Sequence, residues 1–128
     1  MPMEIKLLIW SAALAAVQSF LAAFGTVTQV GLPVGVGNRE TMPAFTGWVG
    51  RAHRAHRNML ESLVLFAILI LVAQAFGKFN AMTTLGAELY FGARVAYALV
   101  YLAGIPWLRT LIWTVSVVGL VIIFKELV

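Results

Sequence analysis

The chain has no cysteine. That excludes a cysteine nucleophile and any metal site built on protein thiolates, and it says nothing about redox compartment. It also has no aspartate, so all acidic charge rests on five glutamates, against nine lysines and arginines. Charge of either sign is scarce. Charged residues make up 11% of the sequence, where a soluble domain carries roughly 25%. No low-complexity tract or internal repeat breaks the 128 residues.

Abundance lies on the apolar side. Hydrophobic residues are 62% of the chain and the mean hydropathy is +0.95. A single domain of this size cannot hide so much apolar surface in one core. The composition predicts an integral membrane protein. A net charge of +4 would suit nucleic acid, but the basic residues form no stripe with interleaved aromatics. Most lie at segment ends, and no nucleic-acid partner is expected.

Four apolar segments follow one another, at about residues 5–30, 47–76, 81–103 and 107–127. Each is long enough to cross a hydrocarbon core of about 30 Å, which takes roughly 20 residues. The fold class is therefore all-α: one transmembrane four-helix domain spanning residues 1–128. The first segment carries Lys6 near its start and is rich in small residues, from Ser11 to Gly25. Its apolar run is long for a cleaved leader, and the small residues read as a close helix-packing face.

Gly31 to Glu40 reads as a loop, and its Gly35-Val-Gly37 has neither the preceding strand nor the following Lys-Ser/Thr of a phosphate loop. Pro43 and Thr46 mark the approach to the second helix, with Thr46 as its N-cap. Gly77-Lys78 closes that helix, Asn80 caps the third, and Gly104-Ile-Pro106 is a stop-and-restart signal.

Positive charge gathers on the first and third connections, as Arg39, Arg51, Arg54, Arg57 and Arg109, against Lys6, Lys78 and Lys125 on the other side. By the charge-orientation rule the first and third connections face the cytoplasm and the termini lie opposite. Trp48 and Trp107 then fall near one interface.

The chain is organised around Arg51-Ala-His-Arg-Ala-His-Arg-Asn-Met-Leu-Glu61, which runs directly into an apolar helix body. Arg54, Asn58 and Glu61 stand at i, i+4 and i+7, on one helical face. On the third helix Tyr90, Arg94, Tyr97 and Tyr101 follow i, i+4, i+7 and i+11. The short connection between these helices makes them antiparallel neighbours. At about 1.5 Å per residue, Glu61 lies about 24 Å before Gly77 and Arg94 about 21 Å after Asn80. The two charges share a depth, and an ion pair between them is expected, since charges in membranes are tolerated when paired. The same count sets Tyr101 level with Asn58 and Arg54. Together the two faces suit a small zwitterionic, peptide-like ligand, its carboxylates on arginine and its ammonium on Glu61. His53 and His56 have a spacing compatible with metal ligation, but no third ligand is near and arginines surround them. No metal is expected.

Arg54-Ala-His-Arg-Asn58-Met-Leu-Glu61 and Phe91-Gly-Ala-Arg94-Val-Ala-Tyr97-Ala-Leu-Val-Tyr101, followed by Pro106 and Arg109, resemble the MAPEG family, the membrane-associated proteins in eicosanoid and glutathione metabolism. The resemblance covers nearly the whole chain and includes bacterial members and microsomal glutathione transferases. It implies a homotrimer in a bacterial inner membrane, with glutathione as co-substrate between subunits near the cytoplasmic face. A lipophilic substrate would enter from the bilayer. By analogy Arg54, Asn58, Glu61, Arg94, Tyr97 and Tyr101 hold glutathione, and Arg109 assists its thiol as the catalytic residue. The implied activity is conjugation of glutathione thiolate to lipophilic electrophiles, with peroxidase activity as a second chemistry.

Eicosanoid-synthesising members carry arginines at the end of the first helix, where this chain has uncharged Val30 to Gly37, with Arg39 following. That departure bears on lipid-mediator synthesis more than on glutathione binding. Two other readings compete. One is a non-catalytic lipid- or glutathione-binding membrane protein. The other is a small transporter using Glu61, against which the expected Glu61–Arg94 pairing argues.

Overall fold

The computed structural model describes residues 1–31 and 45–128. Four helices follow in order: α1 (Met3–Val30), α2 (Gly47–Ala75), α3 (Ala81–Ala103) and α4 (Pro106–Leu127). No strand occurs among the described residues. The all-helical expectation holds, and the helix boundaries fall within two residues of those expected. The loop residues 32–40 (with Arg39) and Pro43 lie outside the described residues.

The ends of the helices show why the chain turns where it does. Asn80 Oδ1 accepts from the backbone N–H groups of Met82 and Thr83, each at 2.9 Å. Thr83 Oγ1 in turn accepts from Asn80 N–H at 2.8 Å. This reciprocal capping box satisfies donors that a helix start otherwise leaves orphaned. At the other end of α3, Gly104 takes φ 78°, a left-handed conformation glycine adopts without a Cβ clash. Pro106 then supplies the first residue of α4, where a missing N–H costs nothing.

Thr46 stands at the N-cap of α2, but its side chain caps nothing. Its backbone is held instead by Gln29 of α1, which donates from Nε2 to the Thr46 carbonyl at 2.9 Å and accepts from Thr46 N–H at 3.4 Å. A tertiary contact has replaced the local cap.

Both α2 and α3 touch each of the other three helices, while α1 and α4 do not meet among the described residues. The most extensive contact is α3 with α4, and the slightest is α2 with α4. At the α3–α4 crossing a Cβ on Gly86 would stand 2.7 Å from the Gly119 carbonyl oxygen, and one on Gly119 would stand 2.6 Å from that of Gly86. Only glycine permits so close a backbone approach, and in lipid such approach is a main source of helix association. Phe66 and Ile70 of α2, Ala87 and Tyr90 of α3, and Leu120 and Ile123 of α4 fill the core beside it. Phe66 stacks on Tyr90 with centroids 4.2 Å apart.

On α1 the buried stripe is Ser11, Ala15, Gln18, Ala22 and Gly25. Its small residues form a packing face as expected, but only every third or fourth one does so; Ala12, Ala13, Ala16 and Ala23 point outward. The end bearing the termini is tied by a 2.7 Å contact between Thr83 Oγ1 and buried Glu4 and by Asn80 Nδ2 donating to Glu126 at 2.9 Å.

Three helices, α1, α2 and α4, are long and apolar enough to cross a membrane. The fourth expected span, α3, does not reach that level of apolarity. It buries Thr83, Arg94 and three tyrosines against its neighbours, while Glu88 is exposed. Exposed apolar side chains cover the outside, including Trp10, Phe20, Phe24, Leu65, Phe76 and Trp107. This is the surface of an integral membrane protein.

Candidate functional site

At the end where α2 and α4 begin and α3 ends, two tyrosines organise three arginines. Tyr97 and Tyr101 meet edge to face, with centroids 5.5 Å apart. The Arg94 guanidinium carbon stands 4.2 Å from the Tyr97 ring centre. That of Arg109 stands 4.6 Å from the Tyr101 ring centre. Arg54 Nε donates to the Tyr101 hydroxyl at 3.2 Å. One turn of α3 separates the tyrosines, so α3 presents both rings to α2 on one side and α4 on the other. The depth count that set Tyr101 level with Arg54 is realised in this contact.

Gly50 makes room for Arg54. A Cβ there would fall 2.7 Å from the Phe45 carbonyl oxygen and 3.1 Å from Arg54 Nη1. Arg51, one turn before Arg54, donates from Nε to the Leu102 carbonyl at 3.0 Å. It thereby satisfies an orphan carbonyl at the end of α3 and brings a cation to the negative end of the helix dipole.

Arg94 is 1% exposed, and none of its three guanidinium nitrogens has a hydrogen-bond partner among the described residues. The expected Glu61–Arg94 pair is therefore not formed within the protomer. Equal depth fixed the height of the two residues but not their direction around the helix. Ser62 takes the α3-facing position, with Oγ 2.9 Å from the Tyr90 hydroxyl. Met59 joins it there, its Sδ 4.0 Å from the same hydroxyl. Glu61, turned about 100° from Ser62, is exposed and lies on the α4 side.

Asn58, Tyr97, Arg109, Thr110 and Trp113 line a cavity of about 180 Å³. Asn58 and Trp113 continue into a second cavity of about 180 Å³, with Glu61, Ser62 and Ser116 on its wall. Through Leu65, Val117 and Leu120 that space meets an apolar cavity of about 430 Å³, which extends to Phe124. All three lie along the slight α2–α4 contact. The seam is a groove with guanidinium and phenol at one end and hydrocarbon at the other.

Arg54, Asn58, Arg94, Tyr97, Tyr101 and Arg109 thus converge, while Glu61 occupies the adjoining cavity. Thr110, Trp113 and Ser116 escaped sequence reasoning. The signal was present on α4: Arg109, Trp113, Ser116 and Leu120 follow helical spacing from the one arginine of that helix. His53 lies elsewhere, stacked on Phe45 with centroids 4.3 Å apart and 2.8 Å from Thr26 Oγ1. No group of three potential metal ligands occurs among the described residues.

Buried guanidinium without a carboxylate partner is costly in a membrane bundle. The Tyr97 face offsets part of that cost for Arg94 by cation–π attraction, worth about 0.5–2 kcal/mol. The remaining donors are complementary to an anion.

The fold and site define an integral membrane helical protein with an arginine–tyrosine site opening onto an apolar groove. The chain belongs to the MAPEG family, whose model matches residues 7–128. No curated protein and no solved structure matches it.

Proposed function

We propose that the protein is a membrane-bound glutathione transferase acting on lipophilic electrophiles. The observation that carries this reading is the groove, which joins a cation-rich polar cavity to an apolar one within one seam. A reaction between a charged thiol peptide and a lipid-soluble electrophile needs both environments in contact. Membership of the MAPEG family agrees with it.

In this reading Arg54, Asn58, Arg94, Tyr97 and Tyr101 hold the peptide, with Arg94 supplying donors that have no partner in the protomer. Glu61 receives the ammonium from the adjoining cavity. Arg109 stands beside the thiol. An ordinary thiol has pKa about 8.5, and a neighbouring guanidinium favours the thiolate. The thiolate attacks the electrophilic carbon, a C–S bond forms, and the leaving group departs with its electron pair. The same thiolate would reduce a hydroperoxide to the alcohol, becoming a sulfenic acid that a second glutathione converts to the disulfide with release of water.

The arginine-bearing connections face the cytoplasm, where glutathione is supplied, and three protomers assemble around the site. Buried Nδ1 of His56 and Oδ1 of Asn58, both without partners among the described residues, support a neighbour or ligand at this end. The direct test is conjugation of glutathione to a lipophilic activated chloroarene by protein purified in mild detergent. Enzyme-dependent thioether is expected. Binding of glutathione with no thioether and no peroxide consumption would favour a non-catalytic binding protein.

A further inference from the structure

Helix α4 is built as two unlike halves. None of residues 106–115 is buried, whereas Ser116, Gly119, Leu120 and Ile123 all are. The outer half is held by the Gly86–Gly119 crossing, by Asn80 Nδ2 donating to Glu126 at 2.9 Å, and by Lys78 Nζ donating to the Leu127 carbonyl at 3.3 Å. The inner half has much less. Trp107 and Leu111 are 71% and 57% exposed, and no side chain of residues 106–115 hydrogen-bonds to another helix among the described residues. Its attachments are the Arg109 guanidinium over the Tyr101 ring at 4.6 Å and Ile112 packed beside Tyr97 and Tyr101. A segment with so few buried contacts opens at low free energy.

Side-chain hydroxyls mark where it bends. Thr110 donates to the Pro106 carbonyl at 3.2 Å, Thr114 to that of Thr110 at 2.9 Å, and Ser116 to that of Trp113 at 2.6 Å. Residues 117–127 contain neither Ser nor Thr. Hydroxyls that return to i−3 or i−4 carbonyls compete with the backbone ladder and bend helices. The shortest of these bonds, from Ser116, lies where burial begins. At the same end of the bundle Arg94 is closed off. It is 1% exposed, with its guanidinium against the Tyr97 ring. A ligand cannot reach its unpartnered nitrogens while Tyr97 and α4 stay in place. A wall of the site must move, and the inner half of α4 is weakly held.

We propose that α4 bends between Trp113 and Ser116, so that residues 106–115 form an arm that swings Arg109 on and off the tyrosine–arginine site. Residues 116–127 stay fixed on α3. Arg109 stands about 10 Å before Ser116, so a bend of about 15° carries it about 3 Å. That displacement takes the guanidinium beyond the roughly 6 Å reach of a cation–π contact. It also withdraws Ile112 from Tyr97, whose ring can then turn and open Arg94 to an anion. The arm returns when the anion draws Arg109 back. The inference takes its anion from the glutathione reading, but the bend belongs to the ligand-free protein and is measured there.

The chain has no cysteine, so introduced pairs carry spin labels at defined places. The arm pair is Leu99→Cys with Leu111→Cys, and the control pair is Leu85→Cys with Val118→Cys; all four positions are exposed. Labelled chain is diluted with unlabelled chain in nanodiscs, so that only distances within one protomer are read. Without ligand the arm pair should give a distance distribution at least about twice as broad as the control, because weakly packed segments open locally. Glutathione sulfonate, a charge mimic of the thiolate, should narrow it to the control width. Thr114→Val with Ser116→Ala should narrow it with no ligand. Equal widths in the ligand-free protein, or unchanged breadth after both hydroxyls are removed, would overturn the proposal. A broad arm pair that ignores glutathione sulfonate would uphold the arm and count against glutathione as the occupant. If the hydroxyl variant does not fold, the two label pairs in the otherwise natural sequence decide alone.

Discussion

The Arg109 guanidinium lies over the Tyr101 ring, 4.6 Å from its centre, while the same tyrosine's hydroxyl receives a hydrogen bond from Arg54 at 3.2 Å. One side chain thus fixes two arginines from two helices. Arg109 lines the cavity that also holds Asn58, Thr110 and Trp113; Arg54 does not. In the proposed reaction, that difference separates a residue beside the reacting sulfur from one that holds the peptide.

Arg109→Ala should raise the thiol pKa and lower kcat, with glutathione affinity within a few-fold. Arg54→Ala should do the reverse, raising KM first. Loss of a contact made chiefly in the transition state lowers kcat more than it raises KM. Steady-state kinetics with a chloroarene, together with a spectroscopic thiol titration, would separate the two.

Tyr101→Phe keeps the ring under Arg109 and removes the hydroxyl that orients Arg54. Glutathione affinity should fall about tenfold, the range for a hydrogen bond to a charged group, while the bound thiol pKa stays unchanged. Equilibrium binding and the thiol titration measure the two quantities independently.

Much of this site was legible beforehand, for a definite reason. Arg54, Asn58 and Glu61, and Tyr90 to Tyr101, follow helical spacing, and antiparallel neighbours convert sequence distance into depth. The count set Arg54 and Tyr101 at one level, and the structure joins them by a hydrogen bond. The Glu61–Arg94 pair failed because depth carries no information about azimuth; Ser62 and Met59 took the face that meets Tyr90. Thr46 takes the expected N-cap position, but its side chain makes no capping bond; Gln29, distant in sequence, holds its backbone instead. The α2–α4 groove was invisible because it depends on how far two helices separate, which their own patterns do not encode. The α3–α4 crossing depends on Gly86 and Gly119 together, and neither glycine is distinctive by itself.

Because Arg94 is buried without a hydrogen-bond partner among the described residues, Arg94→Met should stabilise the ligand-free protein. A gain of at least about 1 kcal/mol is expected when buried charge gives way to an apolar side chain of similar size. The same variant should lose most of the thermal stabilisation that glutathione confers. Exposed Glu61 behaves differently: Glu61→Gln should change ligand-free stability by no more than about 0.5 kcal/mol. Thermal unfolding in detergent with and without glutathione reads both.

Gly119→Ala places a Cβ 2.6 Å from the Gly86 carbonyl oxygen and 2.9 Å from Tyr90 N. The helices must part, and a loss of about 1–3 kcal/mol is expected from such overpacking. Gly92→Ala, with nothing within 4 Å of the added carbon, should be neutral or gain up to about 1 kcal/mol from helix propensity. Thermal unfolding of the pair distinguishes crowding from a general effect of losing glycine.

The central claim is that this site binds glutathione and ionises its thiol through Arg109. The most direct measurement is an ultraviolet difference spectrum on adding glutathione to detergent-purified protein at neutral pH, because a thiolate absorbs where the thiol does not. The account predicts a saturable thiolate band that shrinks in Arg109→Ala while glutathione still binds. Saturable binding without a thiolate band, or a band of undiminished size in Arg109→Ala, would contradict it.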